Sequence, residues 1–327
     1  MVLGLTVALL VLLGASAALF AFTMIESRRI EARYPPAGAL VTVDGATIHV
    51  LDAQAKGEER DAVLMIHGAS GNAADLHVVL AGPLSEAGFR VLSADRPGHG
   101  WSARLKGADA ASPSAQARVL RGAAEALGVR RATIVAHSLA GAAGLAMALD
   151  APDFVRALVL IAPVSHRWPG GISWYYKVGA NRLVGPAFRW LVALPAGLAA
   201  MRTGVASVFA PNAPPPDFIE RTRLNLLLRP PHFLANCEDV AHAKAAVTAL
   251  APRYGNIRTP VEIVAGDADA IVSTELHSRA CARDISGARL TVLAGVGHSP
   301  HHVAPGRIAE IVVEVERRAR EREAEAV

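Results

Sequence analysis

Beyond about residue 36, the sequence predicts a mainly parallel β-sheet with helices on both faces. Short apolar, β-branched runs alternate with helical stretches from Ala62 onward, as in successive βαβ units. The early strand Ala62 to Ile66 has no internal polar residue, the mark of a strand buried on both sides. A strand also runs straight into a helix around Ser138, so this sheet carries a very sharp turn at one strand end.

The 327 residues are 52% hydrophobic and 19% charged, which excludes a disordered chain and suits one large α/β domain with an insertion, or two small domains. The net charge is +4 with scattered basic residues, and no basic stripe is interleaved with aromatics, so nucleic acid is not an expected partner. Cys237 and Cys281 fall in different predicted elements without ligand spacing. They are read as buried free thiols rather than a disulfide or zinc pair.

Val2 to Ile25 is an apolar run without a charge. As a helix it reaches about 36 Å, enough to cross a bilayer core of about 30 Å with some tilt. A cleaved signal peptide is the alternative, with Ala15-Ser16-Ala17 as its cleavage site. The run lacks a basic leading region and continues well past that site. Residues 1–27 are therefore expected to be a retained membrane anchor. Arg28, Arg29 and Arg33 follow the span, and nothing basic precedes it. The positive-inside rule then places the large domain on the cytoplasmic side.

Tyr34-Pro35-Pro36-Ala37-Gly38 ends the anchor helix. Leu40 to Val43 and Ala46 to Leu51 form a hairpin through Asp44-Gly45, a type I′ turn sequence. Lys56 to Asp61 reads as a charged loop. The core of residues 36–162 then follows in order. Ala62 to Ile66 is a strand, Ala73 to Ala87 a helix, Phe89 to Ala94 a strand, and Ser114 to Leu127 a helix. Arg131 to Ala136 is a strand, Leu139 to Leu149 a helix, and Val155 to Ala162 a strand.

Residues 163–250 contain no clear strand. Trp174 to Val184, Ala187 to Phe209 and Phe218 to Leu228 read as helices, with the proline-rich Pro211 to Pro216 between two of them. This segment is expected to be a helical cap over the sheet edge. Gly185 to Phe209 is apolar enough for a second span, but Arg189, Pro195 and Arg202 argue for a cap helix instead. The core resumes in residues 251–327 with the strand Val261 to Ala265, the helix Thr274 to Asp284 and the strand Arg289 to Leu293. A final helix from Pro305 buries Ile308, Ile311, Val312 and Val315, and Glu316 to Ala326 is its solvated end.

The turn Ala136-His137-Ser138-Leu139-Ala140-Gly141 has small residues flanking a serine at its tip. This is the pattern of a nucleophile elbow, with alanines in place of its glycines. It lifts the Ser138 hydroxyl above the sheet at a helix N-terminus, where backbone N–H groups favour negative charge. A serine hydroxyl needs a base, and the base needs an orienting acid. In a parallel sheet such groups gather at carboxyl strand ends. Gly266-Asp267-Ala268-Asp269 follows one late strand, and Gly297-His298-Ser299-Pro300 follows the next. Taken singly, each has a structural explanation: helix cap, Asx-turn or solvated loop. Together they occur in the order Ser, Asp, His.

On these residues the chain resembles the α/β-hydrolase fold superfamily from about Pro36 to about Arg317. His67-Gly68-Ala69 resembles its oxyanion loop, and Asp95-Arg96-Pro97-Gly98-His99-Gly100-Trp101-Ser102 its D-x-P-G-x-G-x-S turn. Ala136 to Gly141 resembles its elbow, Gly266 to Asp269 its acid loop, and Gly297-His298-Ser299-Pro300-His301 its histidine loop. The resemblance implies Ser138 as nucleophile, His298 as general base and Asp269 as orienting acid. Asp267 is the alternative acid, but the family's acid sits three residues past the glycine. The backbone N–H groups of Ala69 and Leu139 would form the oxyanion hole. His67, His137 and His99 are expected to brace loops. His301 and His302 could flank the pocket, and Ser70 could add a hydroxyl near the oxyanion hole. His232 and His242 show no ligand spacing, so no metal and no cofactor are expected.

What the resemblance implies is a serine hydrolase acting on a carboxylic ester, with the anchor and apolar cap favouring an apolar or lipid-derived acyl group. Carbon–carbon bond hydrolysis and acyl transfer by the same fold are alternatives. So is a catalytically silent ligand-binding protein.

Overall fold

The computed structural model describes residues 2–58 and 61–325. Glu59 and Arg60 of the expected charged loop, and Ala326 at the expected solvated end, lie outside the described residues. Among the described residues, eight strands form one sheet: β1 (Ala39–Val43), β2 (Ala46–Ala53), β3 (Asp61–Ile66), β4 (Phe89–Ala94), β5 (Ala132–His137), β6 (Val155–Ile161), β7 (Val261–Gly266) and β8 (Arg289–Leu293). Their spatial order is β1-β2-β4-β3-β5-β6-β7-β8. β2 pairs antiparallel with both β1 and β4, and the remaining pairings are parallel. Asp44 and Gly45 both have positive φ, as the expected hairpin turn requires.

The period-2 geometry of a strand divides the core between the two faces. Along β3, Leu64 and Ile66 join one apolar cluster and Val63 and Met65 the other. Helices α3 (Pro113–Ala126) and α4 (Gly141–Asp150) cover the first face through Val119, Leu120 and Leu145. Helix α2 (Ala74–Glu86) and the C-terminal helix Pro305–Glu325 cover the second. The latter does so through Ile308, Ile311, Val312 and Val315, the stripe expected from spacing.

Between β6 and β7 the described backbone is helical, but its helices differ from the expected ones. The stretch starting at Trp174 stops at Ala180, giving α5 (Trp174–Ala180). Phe218 to Leu228 is broken at Arg223, whose φ is +53°, into a short helix and a 3₁₀ turn. A helix over Pro230–Leu250 was not anticipated. Its prolines sit in the first turn, where no backbone N–H is required. It also buries polar Asn236 and Asp239 alongside Phe233 and Cys237, so no apolar stripe marks it.

The N-terminal helix α1 (Val2–Arg33) is long and apolar enough to cross a membrane. Its second half lies against the body. Ile30 and Tyr34 pack with Leu194, Leu226 and Leu228, and Phe20 stacks on Trp190 at 5.0 Å between ring centroids. Polar contacts fix its end. Tyr34 Oη donates to Glu220 at 2.8 Å, Trp101 Nε1 donates to the Tyr34 carbonyl at 2.9 Å, and Arg229 pairs with Glu31 at 3.1 Å. The helix Gly185–Phe209 also has the length and composition of a span. It contains Arg189, Pro195 and Arg202, and it buries Leu194 and Phe209 within the body.

Candidate active site

β3, β4, β5, β7 and β8 release their chains at the same edge of the sheet, and each predicted site residue lies just past one of these ends. β5 ends at His137, and Ser138 begins a 3₁₀ turn leading into α4. Its φ is +52°, a left-handed conformation that a non-glycine residue adopts under strain. Ala136 fits at the elbow because its neighbour Gly144 makes room. A Cβ on Gly144 would lie 3.1 Å from the Ala136 Cβ, so the extra methyl occupies space that the glycine leaves open.

His298 bridges the serine and one aspartate. Its Nδ1 lies 2.7 Å from Asp269 Oδ2, and its Nε2 lies 2.8 Å from Ser138 Oγ. With Nδ1–H donating to the carboxylate, Nε2 carries the lone pair that accepts the serine proton. The other Asp269 oxygen accepts the amides of Ile271 and Val272 at 2.8 and 2.9 Å, which fixes the carboxylate. The structure thus brings Asp269 to the imidazole and uses Asp267 elsewhere: Asp267 Oδ1 accepts the Gly295 amide at 2.7 Å, tying the acid loop to the histidine loop.

The loop after β3 lies against this elbow. A Cβ on Gly68 would lie 3.0 Å from the Ser138 Cβ, tighter than an ordinary contact, so the glycine lets this loop approach the elbow closely. Ala69 follows it, and Leu139 sits in the first turn of its helix, where amides have no carbonyl four residues back. Ser70, also at positive φ, is held by Asn236: its amide donates to Asn236 Oδ1 at 2.7 Å.

Two parts of this machinery carried no sequence signal. Arg96, fully buried, donates to the His67 carbonyl at 3.1 Å and the Gly68 carbonyl at 3.3 Å. Its charge is matched by Asp239 at 2.6 Å on the unanticipated helix. Asp75 on α2 accepts from His302 Nε2 at 2.9 Å and lies 3.6 Å from His301 Nε2. Burial alone would raise its pKa, but these two imidazoles hold it well below the usual carboxylate range. Asp75, His301 and His302 are also a set of donors gathered closely enough to hold a cation. His301 is completely buried behind His137 rather than flanking an open pocket. His137 donates through Nε2 to the His298 carbonyl at 3.0 Å. His67 and His99 brace loops, both contacting Arg96.

A cavity of about 400 Å³ lies beside the triad, bounded by Asp269, Trp168, Ile172, Tyr176, Ile271 and Leu276 among others, and Lys244 Nζ lies 5.3 Å from the Trp168 ring centroid. Tyr176 connects it to the oxyanion loop, its hydroxyl 3.5 Å from Ser70 Oγ.

Burial pushes His67 down to about 4, with the Arg96 charge adding to it. Burial also pushes His277 down to about 4, with His166 adding to it. The folded chain therefore refuses protons that the unfolded chain accepts. Their stabilising contribution is complete above the unfolded imidazole value of about 6.5 and is lost as pH falls toward about 4, by about 3 kcal/mol for each imidazole. Urea melts should show a midpoint that drops across this window. An unchanged midpoint would refute the assignment.

Residues 61–305 match the sequence profile of the alpha/beta hydrolase fold. The match covers most of the chain, and the chain belongs to that family of hydrolases. It is 26% identical over 250 residues to the 2-hydroxy-6-oxo-6-phenylhexa-2,4-dienoate hydrolase of Comamonas testosteroni, covering 73% of this chain and 82% of the relative. Among solved structures, the enol-lactonase from Burkholderia xenovorans LB400 superposes with a TM-score of 0.66 at 20% identity, over 85% of this chain and 99% of that one. A bacterial membrane phospholipase A superposes with a TM-score of 0.66 at 22% identity, over 98% of both chains. These likenesses show the fold.

Proposed function

We propose that this protein is a membrane-anchored serine hydrolase that cleaves apolar carboxylic esters. The hydrogen-bonded series Asp269–His298–Ser138 carries this reading. Ser138 Oγ attacks the acyl carbonyl while His298 Nε2 takes its proton. The Ala69 and Leu139 amides hold the oxyanion, each donor contributing about 3 kcal/mol to the transition state. His298 returns the proton to the leaving alcohol, and water then cleaves the acyl-enzyme by the same route. The helical segment 163–250 acts as the cap. The apolar side chains of Trp168, Ile172, Ile271 and Leu276 in the cavity beside the triad favour an apolar acyl ester. α1 is read as a retained anchor, with the domain on the cytoplasmic side by its flanking arginines.

A fluorophosphonate probe should label wild type at Ser138, located by mass spectrometry of the modified peptide, and should leave Ser138→Ala unlabelled. Absence of labelling in folded wild type by both small and bulky probes would favour a silent ligand-binding protein.

The dienoate hydrolases among the relatives support a second reading, carbon–carbon bond hydrolysis. Turnover of a 2-hydroxy-6-oxo dienoate well above that of any neutral ester would establish it.

A further inference from the structure

The packing of α1 against the cap specifies how deeply the body sits in a membrane. Hydrocarbon about 30 Å thick takes up about 20 helical residues. The charge-free run of α1 ends at Ile25, and Phe20 lies about 7 Å inside that end, at a rise of about 1.5 Å per residue. Phe20 is the residue stacked on Trp190. A span that begins near Val2 still contains Phe20 or ends beside it, so Trp190 is carried to the membrane boundary with it.

Contacts along the two helices show which part of the cap goes deeper. Passing up α1 from Ile30 to Phe20, the partner moves from Leu194 to Trp190, toward the start of the helix Gly185–Phe209. Continuing in that direction leads to Leu183 and Val184, which are 89% and 54% exposed. Trp174, 65% exposed, joins the same edge by stacking on Phe188 at 5.8 Å. Aromatic rings beside exposed aliphatic tips are what a bilayer interface selects. The charges agree. From residue 163 to residue 209 there are five cations, Arg167, Lys177, Arg182, Arg189 and Arg202, and no acidic residue. A surface of that sign is drawn to anionic headgroups.

We infer that the cap edge formed by Trp174, Leu183, Val184 and Trp190 is inserted into the anionic leaflet beside α1. The occupant of this exposed apolar face is the lipid bilayer. The inference rests on the reading of α1 as a membrane helix. It deepens that reading by assigning the membrane a second contact on the catalytic body. Ser173, next to Trp174, lines the cavity beside the triad, so ester carried in the leaflet reaches the cavity rim without crossing water.

The test uses the full chain in vesicles of phosphatidylcholine and phosphatidylglycerol. Leu9→Cys, Leu183→Cys and Glu310→Cys variants each receive an environment-sensitive fluorophore, Cys237 and Cys281 being buried. Lipids brominated along the acyl chains serve as quenchers. Quenching and a blue shift at positions 9 and 183, but not at 310, is the expected result. Quenching at 9 with position 183 as bright as 310 overturns the inference and leaves the anchor standing. Quenching at neither overturns both.

A functional arm uses Leu183→Glu with Val184→Glu. Turnover of an ester dissolved in the vesicles should fall by about tenfold or more, while turnover of a soluble short-chain ester is unchanged. Equal effects on both esters, or no effect on either, would overturn the inference.

Discussion

Ser138→Ala lowers kcat by about 10⁶-fold, because removing the nucleophile from a triad costs nearly as much as removing all three members. Asp269→Asn lowers it by about 10⁴-fold, since the amide no longer accepts from Nδ1–H and the imidazole turns to the wrong tautomer. Asp267→Asn is the informative comparison. It lies two residues away on the same loop, but its carboxylate accepts the Gly295 amide rather than the imidazole. Its loss loosens the join between the acid and histidine loops and leaves kcat within about tenfold. Steady-state kinetics on one neutral ester, with circular dichroism to confirm folding, separate the three. An Asp267 variant as impaired as the Asp269 variant would reassign the acid. A Ser138→Ala protein with near-normal turnover would remove the acyl-enzyme from the mechanism.

The central strands were legible because burial on both faces leaves mostly apolar runs, while β8, only partly buried, falls at the residues its β-branched pattern marks. Ser138, Asp269 and His298 were legible because each lies in a short motif just past a strand. What brings them within hydrogen-bond distance is the parallel sheet itself, which sets β5, β6, β7 and β8 side by side with their carboxyl ends at one edge. The groups that support them were not legible. Asp239 lies in a helix whose buried residues mix polar with apolar, and its partner Arg96 is 143 residues earlier. Asp75 reaches His302 across 227 residues. A carboxylate of this kind has the same local surroundings in sequence as one facing water, and only the assembled fold distinguishes them. The docking of α1 escaped notice for the same reason, since its run reads as a lipid-facing span along its whole length.

The link between Arg96 and Asp239 gives the largest expected change in stability. Both side chains are 2% exposed, so the carboxylate is what balances a guanidinium removed from water. Asp239→Ala leaves that charge buried and unpaired, and breaking a buried pair from one side costs about 3–5 kcal/mol. Arg104 also reaches Asp239, at 2.7 Å, but is partly exposed. Arg104→Ala leaves the buried pair intact and costs at most about 1 kcal/mol. Urea melts of the two variants give the comparison directly, and equal losses would refute the special standing of Arg96. Replacing both partners with apolar residues, Arg96→Met with Asp239→Leu, removes the unpaired charge and recovers much of the lost stability. Activity does not return with it. Arg96 also donates to the carbonyls of His67 and Gly68, and without those bonds the loop that carries Ala69, the proposed oxyanion donor, is no longer fixed. A double variant that regains stability while kcat stays low therefore assigns Arg96 a positioning role in catalysis. One that regains both would reduce the pair to a structural joint between the helix Pro230–Leu250 and the sheet.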